Sequence, residues 1–408
     1  GSGFAELMDQ ALADRRDELT DVKIRGGLVY QPIIHTVDCD PEMKHFQYYS
    51  WHLGAYERKL FTQGRLHFVP MILRLLPEMY RDYLQVDVAI VPVSRPDANG
   101  YCGLGLASYC WKTIIQKART VIFEINEKLP TLQGVDGSHR VSIEDADYLV
   151  EGEHGPLITS GYRQPSAADI QIAQNVVAEI PNGATLSLGV GTIPFTIAQL
   201  LAKSDRENLG CHTGTISDAF LALYKAGKLT NAKKEVRTGL STWNLASGSQ
   251  ELYNWLQEKP ELFYPAEVDY VHNPRVMENI SNYISINGGV QLDLMGQENA
   301  ESVGTRQLSG TGGQLDFLEG AFLSRGGAGC IESSRVDKQG VRHSNILPTI
   351  PAGSTISAPR ALIQNVATEY GVAHLTGLSL KERAQAMIAV AHPDCRAELQ
   401  AYADKTFR

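Results

Sequence analysis

Two glycine-rich segments carry the residue types that favour chemistry on an anionic or carbonyl ligand. The run LSLGVGTIPFTIAQLL places Gly189 and Gly191 between an apolar strand and a helix with Pro194 in its first turn. Such a loop turns backbone N–H groups toward an anion or a developing oxyanion, because glycine permits close approach and the helix N-terminus adds its dipole. It is not a dinucleotide fingerprint, since Pro194 stands where the third glycine would be, and it has no Walker lysine. A tight turn has the same pattern. In SGTGGQLDFLEGAFLSRGGAG (309–329), Gly310, Gly312 and Gly313 precede an apolar stretch, giving backbone that can lie flat on a ligand or simply turn. Asn287, Gln291, Gln297 and Asn299, beside Gly288 and Gly289, offer amide donors or loop caps.

Parallel strands and helices must position these segments. VDVAIVPV (86–93) and TVIFEI (120–125) read as buried parallel strands, with a shorter strand in EDADYLVEG (144–152) and a strand-like run at 24–34. The loop SRPDANGYCG (94–103) lies at a strand end, where α/β sheets bind ligands. Phe4 to Leu19 predicts a helix, and Asp169 to Ile180 a second, ending at Pro181-Asn182-Gly183 before a strand over Thr185–Leu188. The Gly-, Pro- and Ser-rich segment 151–168 marks a domain boundary, giving domains over 1–160 and 161–408. Strand and helix alternate through both halves, which predicts an α/β protein with parallel sheets. VDVAIVPVSRPDANGYCGLG and YISINGGVQLDLMGQENAESVG faintly echo one another.

The chain has 408 residues, more than one core usually organises. Its 43% hydrophobic and 20% charged residues exclude disorder and coiled coil. A net charge of -9 provides no global attraction for nucleic acid or an anionic membrane. Six dispersed cysteines form no C-x-x-C and no zinc pattern, so reduced thiols, no metal and a cytoplasmic location are expected. No signal peptide or membrane-spanning stretch is evident.

SINGGVQLDLMGQENAESVGTRQLSGTGGQLDFLEGAFLSRGG (285–327), TEYGVAHLTGLSLKERAQAMIAVAHPDCRAEL (368–399), PVSRPDANGYCGLG (92–105) and EINEKLPTLQG (124–134) resemble the acetyl-CoA hydrolase/transferase family over nearly the whole chain. That resemblance implies two related open parallel-sheet domains of the CoA-transferase type, acyl-CoA bound between them, and a homo-oligomer, with a dimer favoured. It also implies a CoA site at Gly189, Val190, Gly191, Thr192 and Ile193, with Gly289 and Gly312 in two further ligand segments. Coenzyme A enters as acyl-CoA substrate, with a small-molecule acceptor as partner. The family's nucleophile is a glutamate in a segment read as H-T/S-E-M-x-S-D-G. The matching residues are His212-Thr213-Gly214-Thr215-Ile216-Ser217-Asp218-Ala219, so Gly214 stands where the glutamate is expected. Members usually carry a helix, strand and glycine turn before the part resembling FAELMDQALADRRDEL, so the first domain is expected to lack a strand or the chain to be shortened.

Glycine supplies no nucleophile, so ordinary CoA transfer is expected to be lost or very slow. Donors at Gly189 and Gly191 would still polarise a bound thioester, and such stabilisation retains roughly 10³- to 10⁴-fold catalysis without a nucleophile. Gly214, Gly189 and Gly191 are therefore the expected catalytic positions, with water or another acceptor entering the vacated volume. Cys211 is a weak substitute, since it and Gly214 point to opposite faces of a strand. His212 is expected to be structural, and Ser217 and Asp218 to cap a helix over 220–225. Glu301 and Glu369 fall in family motifs as supporting residues, and Glu124 is expected to line the cleft. Three functions follow: an acyl-CoA enzyme performing acyl transfer or hydrolysis without a glutamyl-CoA intermediate, in specialised biosynthesis; an inactive acyl-CoA-binding pseudoenzyme; or a CoA-transferase using another carboxylate, Glu301 or Glu124.

Overall fold

The structure is a computed structural model and describes residues 4–332 and 344–407. The chain forms two compact units, Gly1–Ser160 with Thr242–Val271 and Gly161–Ser241 with His272–Arg408. Residues 242–271, assigned from sequence to the second domain, therefore pack with the first. Long-range bonds within that unit hold the segment there: Asn244 Nδ2 donates to Tyr109 O at 3.1 Å, and Glu267 accepts the Lys112 N–H at 2.7 Å. Val268 completes the apolar core around Val91, Val93 and Phe123. No local pattern announces such a return of the chain.

In the first unit, Val22–Gly26, Phe46–Ser50 and His67–Phe68 form one parallel sheet. Val88–Val93, Thr120–Ile125 and Tyr148–Glu151 form another. Ala89, Val91, Val93, Val121, Phe123 and Ile125 alternate into the core, as the two-residue period of a strand requires. Val88 and Tyr148 are 52% and 63% exposed, so this sheet is not buried on both faces as the continuous apolar runs suggested. The strand-like run at 24–34 ends early. Leu28, at φ 54°, turns the chain two residues after Gly26.

In the second unit, a capping box opens the Ala167–Glu179 helix: Ser166 Oγ accepts the Asp169 N–H, and Asp169 accepts the Ser166 N–H. The strand Thr185–Leu188 follows, with all four residues buried. It pairs in parallel with Gly210–Ile216 on one side and Tyr283–Gly288 on the other. The order continues through Ala328–Glu332 and Asn365–Thr368, with Gly371–His374 antiparallel at the end. From Thr185–Leu188 the chain thus steps first to one neighbour and later to the other. The connections after Leu188 and Gly288 lead to opposite sides of this strand pair, the kind of reversal at which open α/β sheets place their ligands. Among the described residues, no helix is long and apolar enough to cross a membrane.

Candidate active site

The register brings two glycine segments to that reversal. Leu188 pairs with Ile286, so the loop Gly189–Gly191 and the turn at Gly288 and Gly289 leave neighbouring strands at one end. Thr213 Oγ1 lies 3.5 Å from Leu188 O, which brings the end of the Gly210–Ile216 strand, and with it Gly214, beside the same loop. Val190 is 52% exposed, and Gly189, Gly191, Thr192, Ile193, Gly214, Gly289 and Gly312 all retain some solvent contact.

The Thr192–Ala202 helix begins at this loop with Gly191 at its N-cap and Pro194 inside its first turn. Helix geometry leaves the first N–H groups without intrahelical acceptors. Gly189 differs, because its N–H donates to Ile286 O at 3.0 Å. The Gly189 N–H is thus taken up within the sheet. An ideal Cβ at Gly189 would stand 3.4 Å from Ile286 O, an ordinary van der Waals contact.

Gly312, at φ 59°, and Gly313 lead into the Gln314–Leu323 helix. This turn reaches Gly214 through two side chains, His272 and Phe317. An ideal Cβ on Gly313 would overlap the His272 ring at Nδ1 and Cε1, and one on Gly214 would stand 3.2 Å from its Nε2. Phe317 completes the enclosure, with ring centroids 4.6 Å apart. His272 is 2% exposed, and among the described residues neither ring nitrogen has a hydrogen-bond partner. Its Nδ1 lies 3.7 Å from Oδ2 of the buried Asp316. Neither residue stood out in the sequence. An isolated His in VDYVHNP and an Asp in a helix's first turn have no spacing that relates them to each other or to Gly214.

The substitute nucleophiles fare poorly. Cys211 is buried, and burial pushes its thiol up to about 12, so no thiolate forms near neutrality. His212 is buried edge-on against Tyr283, whose hydroxyl donates to His212 O. The helix after this strand starts at Asp218, two residues earlier than expected, and Ser217 occupies its N-cap position without a side-chain capping bond. Glu124 is engaged within the first unit. It is fully buried, accepts the Met8 N–H at 2.9 Å and contacts His154 at 3.2 Å, and burial raises its carboxyl above the usual range. Glu301 is buried, and Glu369 sits in the turn between two strands. The amides of this region bond within 285–302: Asn287 to Ser285, Gln297 to Asp293, and Asn299 to Gln291 and Ser302. Sequence reasoning passed over Glu298, whose carboxyl is fully buried and pushed up to about 8 by burial, with the Glu301 charge adding and Gln314 opposing.

Residues 1–158 match the acetyl-CoA hydrolase/transferase N-terminal domain, and residues 248–403 the corresponding C-terminal domain. The chain is 41% identical over 405 residues to the butyryl-CoA:acetate CoA-transferase of Anaerostipes caccae, covering 98% of this chain and 90% of that one. It is 37% identical over 367 residues to the 4-hydroxybutyrate coenzyme A transferase of Clostridium kluyveri, covering 89% and 83%. Among solved structures, RipA from Yersinia pestis superposes with a TM-score of 0.91 at 31% identity, covering 99% of this chain and 92% of that one. The 4-hydroxybutyrate CoA-transferase of Porphyromonas gingivalis gives 0.81 at 28%, covering 100% and 92%.

Proposed function

Given that this chain belongs to the acetyl-CoA hydrolase/transferase family, we propose that it acts on an acyl-CoA thioester without forming a glutamyl-CoA intermediate. The acyl group passes directly to an acceptor or to water, in a specialised biosynthetic role. The observation that carries this reading is Gly214, a residue without a side chain at the open end of the central strand pair, in the segment HTGTISDA. Val190, Gly191, Thr192 and Ile193 supply backbone to the CoA thioester, with Gly189, Gly289 and Gly312 allowing its close approach. Val190, Gly191 and the helix start polarise the thioester carbonyl. This electrostatic contribution survives the loss of a covalent nucleophile. A cytoplasmic location and a homodimer belong to the same proposal.

The engagement of Glu124 with Met8 and His154 argues against a relocated carboxylate nucleophile in the first unit. Mass spectrometry of the CoA species after incubation with butyryl-CoA and acetate tests the reading. Free CoA without new acetyl-CoA is the expected outcome. New acetyl-CoA would show ordinary CoA transfer, and intact butyryl-CoA with every acceptor tried would favour an inactive acyl-CoA-binding protein.

A further inference from the structure

Gly214 supplies no nucleophile, but a buried imidazole packs directly against it. The edge of the His272 ring formed by Cε1 and Nε2 lies against Gly214, each atom 3.2 Å from an ideal Cβ there. Nδ1, on the other side of the ring, lies 3.7 Å from Asp316 Oδ2. The ring is clamped between Gly214, Gly313 and Phe317. A carboxylate behind one ring nitrogen and a reacting atom before the other is the arrangement that orients a histidine for proton transfer. At 3.7 Å the pair is an ionic contact longer than a hydrogen bond. The other buried titratable groups nearby are differently engaged. Lys234 donates to Cys211 O and Leu240 O, and Cys211 is a protonated thiol.

We propose that His272 is a catalytic general base and Asp316 its positioning residue. This rests on the reading that acyl-CoA is consumed without a glutamyl adduct. It also names the acceptor class: a neutral molecule bearing a removable proton, such as water, an alcohol or an amine. A carboxylate has no proton to give and gains nothing from such a base. As the acceptor oxygen or nitrogen attacks the thioester carbonyl carbon, its proton moves to Nε2. The tetrahedral intermediate then collapses with cleavage of the C–S bond, and the departing thiolate takes the proton back from the imidazolium. An acyl-acceptor product and CoA-SH leave, and the histidine is regenerated.

The test compares CoA release from butyryl-CoA by the native protein, His272→Gln, His272→Ala and Asp316→Asn, with water alone, with hydroxylamine and with acetate. Binding of a butyryl-CoA thioether analogue is measured in parallel. The native protein is expected to release CoA faster with hydroxylamine than with acetate, with a normal solvent deuterium isotope effect on kcat. His272→Gln should lower kcat by about 10²- to 10⁴-fold with KM and thioether binding little changed. Asp316→Asn should lower kcat less, and added imidazole should restore part of the His272→Ala rate. Native kcat in a folded His272→Gln protein would overturn the base role while leaving the acyl-transfer reading intact. Should the histidine variants fail to fold, the absence of a solvent isotope effect in the native protein would overturn it instead. A native protein that releases no CoA with any acceptor would overturn both.

Discussion

Nε2 of His272 and the missing side chain of Gly214 compete for the same space, since a Cβ at 214 would lie 3.2 Å from that nitrogen and 3.0 Å from Cε2 of Phe317. Contacts this short require the neighbours to give way. Rings clamped from several sides give way reluctantly, because packed interiors have few voids.

Gly214→Glu alone should therefore restore butyryl-CoA:acetate exchange poorly, and Gly214→Glu combined with His272→Ala should restore it better, by about tenfold or more if relieving the clash recovers about 1.4 kcal/mol. The double variant should also form a CoA adduct trappable by borohydride. Acetyl-CoA formation from acetate measures both. Equal exchange in the single and double variants would mean that His272 does not obstruct residue 214.

Gly313→Ala should destabilise the protein by about 1–3 kcal/mol, because the new methyl overlaps the His272 ring and comes close to Phe317. Urea denaturation reads the loss. The same variant with His272→Ala should recover much of it, since shared partners make two substitutions non-additive. Independent, additive losses would contradict this packing.

Glu298 gives stability a defined pH dependence. Its carboxyl is held near 8 in the folded protein, against an ordinary value of 4.5. The native state keeps a proton that the unfolded chain releases, so its relative stability is full below pH 4.5 and is lost as pH rises through 8. Glu298→Gln should raise stability relative to the native protein at pH 9, on the order of a few kcal/mol, and change it little at pH 4. Glu301 is the neighbouring charge, and Glu301→Gln should lower the Glu298 titration midpoint. Urea midpoints across that pH range would show it, and a native profile unaltered by Glu298→Gln would rule it out.

Cys211→Ser should retain CoA release within a few-fold of native. The thiol is buried and stays protonated, so thiol-alkylating reagents should leave the folded enzyme active. Loss of activity that tracks alkylation of Cys211, followed by peptide mass spectrometry, would reinstate it as a nucleophile.

Much of the fold was legible because parallel strands and their turns leave local marks. Thr120–Ile125 and Thr185–Leu188 have the bounds that their apolar runs and flanking turn residues indicate, and the helix expected over Asp169–Ile180 forms over Ala167–Glu179. The three glycine segments were likewise visible as breaks between apolar runs. By itself, the sequence determined the α/β class, the family and the absence of a carboxylate at 214. It did not determine that 242–271 returns to the first unit, that the Gly189 N–H is held by Ile286, or that Glu124 meets Met8 and His154. Those outcomes depend on which distant segment supplies a partner, and no period or spacing records that. His272, Asp316, Gly313 and Gly214 meet only because the chain reverses direction across the Thr185–Leu188 strand. The composition of the site was thus written in local residue types, while its chemistry was decided by strand order.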